Sequence, residues 1–291
     1  PGAQGHLAML AFSALVAGSF SLGALVANDI SPTAFIALRF CFAAALVGLY
    51  AVTSGAVTRK GFAAPWRYVI LGGLFAIYFV LMFEGLKTAV PVSAAAVFTL
   101  TPVMSAGFGY LLMRQITTPR MAMALSIGAM GAVWVIFRAD INAILQFRVG
   151  QGEVIYFYGC VAHAIYTPLV RKLNRGEPAV VFAFGTLVAG GIVVTLYGLP
   201  DIIATDGINL PSIVWITLIY VSVFASSMTF VLLQFASFNL PSAKVMAYTY
   251  LTPSWVILIE MGLGHGVPPI AVLGGIAMTI LALLMLLKDE G

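Results

Sequence analysis

The chain has 291 residues, of which 62% are hydrophobic and only 8% are charged. Because soluble globular proteins carry roughly 25% charged residues, this composition excludes a water-soluble domain as the main body of the protein. The net charge of +4 does not indicate a nucleic-acid-binding protein, since the Lys and Arg residues are scattered among short loops rather than grouped in one patch.

Apolar runs recur from one end of the chain to the other, and each is near the ~20 residues that a helix needs to cross a bilayer. They predict an all-α membrane protein with ten transmembrane helices, for which the lipid bilayer is the main solvent. The first five predicted spans are residues 6–27, 34–53, 66–86, 91–113 and 120–138. The second five are residues 152–173, 179–199, 212–238, 242–263 and 268–288.

The distribution of basic residues predicts the orientation. With ten spans, both termini and the loops 2-3, 4-5, 6-7 and 8-9 lie on one side of the membrane. Most of the 14 Lys and Arg residues fall on that side, and only Arg39, Lys87, Arg138 and Arg148 fall on the other. The positive-inside rule therefore predicts a multi-pass protein with both termini in the cytoplasm.

Three short motifs repeat in the same order, 150 or 151 residues apart. The pairs are residues 78–81 with 229–232, Pro91 with Pro241, and Leu-Thr-Pro at 100–102 with Leu-Thr-Pro at 251–253. They predict two related units, residues 1–148 and 149–291. Because each unit has an odd number of spans, the second must run in the opposite direction, and such inverted repeats enclose a central cavity with a site near the bilayer midplane.

Three helix faces combine aromatic and polar residues at helical spacing and are candidates to line that cavity. The third span carries Phe75, Tyr78, Phe79 and Met82. The sixth carries Tyr156, Gly159, His163 and Tyr166, and the ninth carries Lys244, Tyr248, Leu251 and Trp255. Hydroxyl groups on the eighth span, at Ser222, Ser226 and Thr229, add polar contacts.

Each of these residues also has a simpler interpretation. The aromatic faces could serve packing alone. His163 lies near mid-span and either contacts substrate or a proton, or is a structural histidine bonded to a neighbouring helix. Lys244 either contacts substrate or is an orienting charge near a cytoplasmic helix end. Pro102 and Pro253 are expected to bend their helices beside the site, with Pro91 and Pro241 as further hinge positions, or merely to serve helix packing.

The Leu-Thr-Pro motif in the fourth helix of each half, the proline before it and the two five-helix halves resemble the drug/metabolite transporter superfamily with EamA-type repeats. That resemblance implies a secondary transporter of the bacterial inner membrane. Many such repeats carry Gly-Glu after the fourth helix, whereas this chain has Met113-Arg114 and Gly264-His265. No role is therefore carried over from that glutamate.

Within the superfamily the chain most resembles exporters of aromatic amino acids. The resemblance implies a small-molecule substrate, aromatic and other neutral amino acids. The substrate-binding residues predicted from the faces are Tyr78, Phe79, Thr101, His163, Tyr166, Lys244, Tyr248 and Trp255.

We predict no cofactor, no metal, no catalytic residue and no obligate protein partner. A channel or an intramembrane enzyme is the alternative from another class, and an exporter of a different metabolite or drug is the alternative within the superfamily. No H-E-x-x-H motif, G-x-S-x-G motif or mid-span aspartate pair supports the enzyme.

Overall fold

A computed structural model describes residues 2–207 and 209–288, and this part of the chain is helical with no β-strand. The helices of the first half are α1 Gly2–Val26, α2 Pro32–Thr53, α3 Trp66–Leu86, α4 Pro91–Phe98, α5 Thr101–Met113, α6 Pro119–Ile136 and the short α7 Ile141–Leu145. A 3₁₀ turn, Arg59–Phe62, precedes α3.

The second half begins with α8 and ends with α15. Its helices are α8 Gln151–Leu173, α9 Ala179–Tyr197, α10 Leu199–Ala204, α11 Ser212–Ser222, α12 Thr229–Asn239, α13 Ser242–Ala247, α14 Thr252–Gly262 and α15 Ile270–Leu287. A π-helical segment, Val223–Met228, joins α11 to α12. A 3₁₀ turn, Tyr248–Leu251, joins α13 to α14.

Two helices, α2 and α6, begin directly after a residue whose side chain caps the helix N-terminus. Ser31 precedes Pro32, and its hydroxyl accepts the Ala34 N–H at 3.2 Å. Thr118 precedes Pro119 and accepts the Met121 N–H at 3.1 Å in the same way. A capping hydroxyl followed by proline suits a helix start, because the first turn has N–H groups without partners and proline lacks one.

Eight helical segments of the described residues are long and apolar enough to cross a membrane, when α4–α5 and α11–α12 are each taken as one segment. The chain is thus a multi-pass helical membrane protein. The sixth and ninth predicted spans correspond to α8 and to α13–α14, which are not among the eight. The count of ten stays a prediction.

The core lies between the two halves. Helix α3 packs on α8, α2 on α9, α6 on α15 and α1 on α12 and α14. The α3–α9 crossing is close at Gly72, where an added Cβ would collide with the backbone of Thr186 and Gly190. A side chain at this position would push the halves apart.

Long-range contacts show which loops share an end of the helix bundle. Arg67 at the start of α3 donates to the Leu173 carbonyl at the end of α8. Gln115, after α5, accepts the Ser242 N–H at the start of α13. At the opposite end, Thr33 donates to Asp201. Loop 2-3 thus meets loop 6-7, and loop 4-5 meets loop 8-9.

Candidate functional site

The α3 and α8 faces meet in the core. Phe75 of α3 lies 4.4 Å from Tyr166 and 5.1 Å from His163, and Tyr78 lies 4.5 Å from His163, all between ring centroids. Phe98 of α4 and Phe230 of α12 complete the group, at 5.4 Å from His163 and 4.3 Å from Phe75. We call these rings, with that of Phe79, the aromatic cluster: Phe75, Tyr78, Phe79, Phe98, His163, Tyr166 and Phe230.

The aromatic cluster is closed to solvent, since each of its side chains is at most 3% exposed. Its tyrosine hydroxyls have partners within the bundle. Tyr78 and Tyr156 share a hydrogen bond of 3.1 Å, and Gln234 of α12 donates to the Tyr166 hydroxyl at 2.7 Å. These bonds let two hydroxyls remain buried among hydrocarbon groups, where an unpaired one would be costly.

His163 differs from the tyrosines because neither of its ring nitrogens has a hydrogen-bond partner, although the side chain is only 1% exposed. The structural interpretation, a histidine bonded to a neighbouring helix, is therefore not what the structure shows. Thr167 instead donates to the His163 backbone carbonyl at 3.2 Å. Buried polar groups without partners are unusual, so His163 remains a candidate for a functional role.

The predicted face of the ninth span does not join the aromatic cluster. The Tyr248 hydroxyl lies 3.1 Å from His6 Nδ1, and Trp255 Nε1 donates to the Ser13 hydroxyl of α1 at 3.2 Å. Among the described residues, no ring contact joins either aromatic side chain to the aromatic cluster. Lys244 is half-buried at the start of this face. The 3₁₀ turn interrupts the α-helical spacing on which the predicted face from Lys244 to Trp255 depends, because it has three residues per turn.

The expected bends at Pro102 and Pro253 are helix breaks rather than kinks inside continuous helices. Each proline is the second residue of a new helix, and the residues before the two breaks have nearly the same backbone angles, φ −80° and ψ −14° at Leu100 and φ −84° and ψ −17° at Leu251. Pro91 begins α4, and Pro241 caps α13.

Threonines satisfy part of the backbone at these breaks. The Thr101 hydroxyl donates to the Phe98 carbonyl at 2.7 Å, and it lies 3.4 Å from the Thr249 hydroxyl of the other half. The carbonyl of Tyr250 accepts a hydrogen bond from Thr279 of α15 at 3.1 Å. The two breaks therefore approach each other in the core.

A proline does lie inside a continuous helix in α8, at Pro168, a position that the sequence analysis did not consider. Proline cannot donate to the carbonyl four residues earlier, which belongs to Ala164. The Ser105 hydroxyl of α5 lies 3.4 Å from that oxygen and donates to it. Ala164 directly follows His163 in the chain.

The structure also changes the interpretation of Arg39, which the sequence analysis placed with the outer-side charges. Arg39 is the eighth residue of α2 and is 0% exposed. It donates to Ser226 and to the Ala225 carbonyl of the π-helical segment, and its guanidinium carbon lies 3.7 Å above the Phe79 ring centroid. Its position inside a predicted span was the available signal.

Two carboxylates lie near the ends of helices. Glu153 of α8 is buried and accepts the Ser93 hydroxyl at 2.8 Å. Glu260 of α14 lies 2.7 Å from His265. Both belong to the walls of cavities at the bundle surface, and the cavity at Glu260, about 480 Å³ in volume, is also lined by Ser21 and Pro91. Ser21 directly follows Phe20, whose ring lies 5.9 Å from those of Phe98 and Tyr156.

The fold is that of a multi-pass membrane protein whose two halves pack together through a buried interface. The EamA-like transporter family matches residues 3–137 and again residues 150–288. The chain belongs to this family of transporters, and its two halves are two EamA units.

Individual relatives agree with this assignment. The uncharacterized transporter YyaM of Bacillus subtilis (strain 168) is 23% identical over 278 residues, which cover 94% of this chain and 91% of that protein. A solved crystal structure that is 18% identical superposes with a TM-score of 0.75 and covers 100% of both chains. This likeness shows a shared fold. The family and relative names indicate a transporter rather than an enzyme.

Proposed function

We propose that the protein exports small metabolites, chiefly aromatic and other neutral amino acids, by alternating access. The aromatic cluster between the two halves carries this proposal, because it offers aromatic rings for stacking and a histidine, His163, whose ring nitrogens lack partners. A resemblance to the bacterial aromatic amino acid exporter YddG favours the same class of substrate.

The transport mechanism requires the closed cluster to open alternately toward each side of the membrane. The helix breaks before Thr101 and Thr252 and the π-helical segment are places where such a motion can occur, since irregular turns bend more easily than α-helix. The cavity at Glu260, which is lined by Ser21 and Pro91, would offer a route to one side. Opening creates the central cavity, with Tyr78, Phe79, Thr101, His163 and Tyr166 on its wall.

Lys244, Tyr248 and Trp255 have a separate place in the proposal. Tyr248 and Trp255 contact His6 and Ser13 of α1, and Lys244 begins the same helix face. We propose that they line the path by which substrate enters rather than the stacking site. Pro91, Pro102, Pro241 and Pro253, all at helix starts, would then form the hinges.

The proposal includes ten spans in two inverted units, divided between residues 148 and 149, in the bacterial inner membrane. Loops 2-3 and 6-7 meet at one end of the bundle. This contact favours an even number of membrane crossings between the two loops, and four spans are predicted there. Cytoplasmic termini follow from the positive-inside rule. Single cysteines at Arg59 and Asp206, after replacement of Cys41 and Cys160, test the topology. Labelling of position 59 from outside intact cells, or protection of position 206, would contradict it.

Counterflow of labelled L-phenylalanine in proteoliposomes tests the substrate class. We expect saturable counterflow that Phe75→Leu and Tyr78→Ala weaken at least tenfold. Phe35→Leu is the matched control, because Phe35 is equally buried but contacts Phe83 instead of the cluster. Absence of wild-type counterflow, with counterflow of another metabolite or drug, would contradict the amino acid assignment. Unsaturable flux would indicate a channel.

His163→Gln and His163→Ala separate binding from proton coupling. If His163 contacts substrate, both variants weaken transport while the protein remains folded in detergent. If it also carries protons, the Gln variant retains uptake that no longer responds to a pH gradient, because a glutamine side chain cannot take up and release a proton. Full activity of both variants would reduce His163 to a packing residue.

A further inference from the structure

Arg39 is a charge buried well inside the membrane domain. It lies seven residues after Pro32, which begins α2, so it is about 10 Å along the helix axis from that end. Its side chain has no exposed surface. A guanidinium at such depth costs free energy unless it is paired or faces water, so its surroundings need an explanation.

The partners of Arg39 are neutral. Nε donates to the Ser226 hydroxyl at 2.6 Å, and Nη2 donates to the Ala225 carbonyl at 2.7 Å. Nη1 has no hydrogen-bond partner. None of the ion pairs formed by the described residues includes Arg39. The positive charge is therefore uncompensated in this closed structure.

The acceptors come from an irregular helix. Ala225 and Ser226 belong to the π-helical segment Val223–Met228, which departs from the regular hydrogen-bond pattern and directs a carbonyl toward the arginine. π-bulges occur frequently at functional sites. The hydroxyl of Ser222, one residue before this segment, is buried and also lacks a partner. Arg39 Nη1 and the Ser222 hydroxyl are thus two buried donors without partners, one in this contact and one on the residue before the π-helical segment.

Arg39 adjoins the aromatic cluster through Phe79. Its guanidinium covers the Phe79 ring at 3.7 Å, and Phe79 lies 5.1 Å from Phe75 and 6.4 Å from Phe230 between ring centroids. A ligand with its ring in the cluster would place a short polar end near the guanidinium. The planar guanidinium fork matches the geometry of a carboxylate.

We propose that Arg39 binds the carboxylate of the transported substrate, while the aromatic cluster holds its apolar side chain. This inference rests on the proposed function and deepens it. The site selects aromatic or apolar compounds that carry a carboxylate, and it does not require the amino group. The Ser226 hydroxyl and Ala225 carbonyl hold the guanidinium in the absence of substrate.

Ligand-induced thermal stabilisation of the purified protein in detergent tests this assignment. The probes are 3-phenylpropanoate and 3-phenylpropan-1-ol, which share the ring and chain length but differ in charge. A ligand that binds only the folded state raises the midpoint of unfolding. We expect the carboxylate to stabilise the wild type at concentrations at least tenfold lower than the alcohol.

Variants at Arg39 should remove that preference. Arg39→Gln should bind both probes about equally, and Arg39→Lys, which keeps the charge, should retain part of the preference. Arg171→Gln, an exposed charge removal at the end of α8, is the control and should behave as the wild type. A wild type without preference for the carboxylate, or an Arg39→Gln variant that retains it, would overturn the proposal and leave Arg39 as a clasp between the halves. If Arg39→Gln does not fold, the proposal is tested by the preference of the wild type for the carboxylate and by the partial preference expected of Arg39→Lys.

The same preparations distinguish this inference from the proposed function. If L-phenylalanine shows no counterflow but carboxylate binding depends on Arg39, the amino acid assignment fails and the carboxylate site stands. If L-phenylalanine is transported equally well by wild type and Arg39→Gln, the transport assignment stands and the carboxylate site fails.

Discussion

Two fully buried arginines show how differently the same side chain can be used. Arg67, at the start of α3, donates to the carbonyls of Ala64 and Leu173 and to the Glu177 carboxylate at 2.6 Å. Arg39, in the interior of α2, has two neutral acceptors and an unpaired nitrogen. A guanidinium whose nitrogens all have partners has no free donor for a ligand. Arg67 is therefore suited to a structural role and Arg39 to ligand binding.

The largest expected effect separates these two roles. Arg67→Met leaves the Glu177 carboxylate, whose side chain is only 7% exposed, without its cation, and breaking a buried pair from one side costs roughly 3–5 kcal/mol. Arg39→Met removes a charge that has no anionic partner, so the free energy of unfolding of this variant should equal or exceed that of the wild type. Unfolding of both variants in mixed micelles measures the difference in stability. Equal losses of stability in the two variants would contradict the distinction between the two arginines.

Acid should weaken the Arg67 contact. Burial alone would raise the pKa of Glu177, but hydrogen bonds from Arg67 and from the Arg175 backbone N–H together hold it below its usual value. A lowered pKa in the folded state stabilises the protein above the unfolded pKa of about 4.3, and this stabilisation is lost as pH falls through the folded value.

Thermal unfolding of wild type and Glu177→Gln between pH 7 and pH 3 tests this sign. The wild type should lose stability below about pH 4.3, whereas Glu177→Gln should start lower and follow a flatter curve. Glu84→Gln, which removes the half-exposed partner of Lys87, is the control. Parallel curves for wild type and Glu177→Gln would show that the ion pair does not set acid stability.

The corresponding threonines of the two repeats extend the comparison to uncharged groups. Thr101 donates to Phe98, while the equally buried hydroxyl of Thr252 has no partner. Thr101→Val should therefore cost about 1 kcal/mol, and Thr252→Val should be neutral or stabilising, because only the first removes a hydrogen bond. Unfolding in mixed micelles measures both, and a larger loss at Thr252 would contradict the assignment.

The smallest expected effect concerns Ser105 and Pro168. Ser105→Ala removes the donor to the Ala164 carbonyl and should cost about 0.5–1 kcal/mol. In a Pro168→Ala background the restored backbone N–H can donate to that carbonyl, so the cost should nearly vanish. A double-mutant cycle measures this coupling. Additive effects would mean that the Ser105 contact does not compensate for the proline.

Much of the local organisation could be predicted from the sequence. Apolar length identified the eight described segments that are long and apolar enough to cross a membrane, and helical periodicity identified the buried faces of α3 and α8, because both depend on neighbouring residues in one regular helix. The paired Leu-Thr-Pro motifs likewise marked matching positions in the two units. The same reasoning expected bends at Pro102 and Pro253 but not helix ends just before Thr101 and Thr252, and it did not consider Pro168, since helix continuity depends on which neighbouring groups satisfy the backbone.

The amino-acid sequence by itself determined the solvent of this protein, the positions of its helices and the two-unit plan, because hydrophobicity and periodicity act locally. Tertiary structure alone decided that Arg39 reaches Ser226, 187 residues away, and that Tyr248 and Trp255 turn toward α1. A charge within an apolar span can reach the interface or be buried. The outcome depends on the helix that packs against it, and no local pattern contains that information.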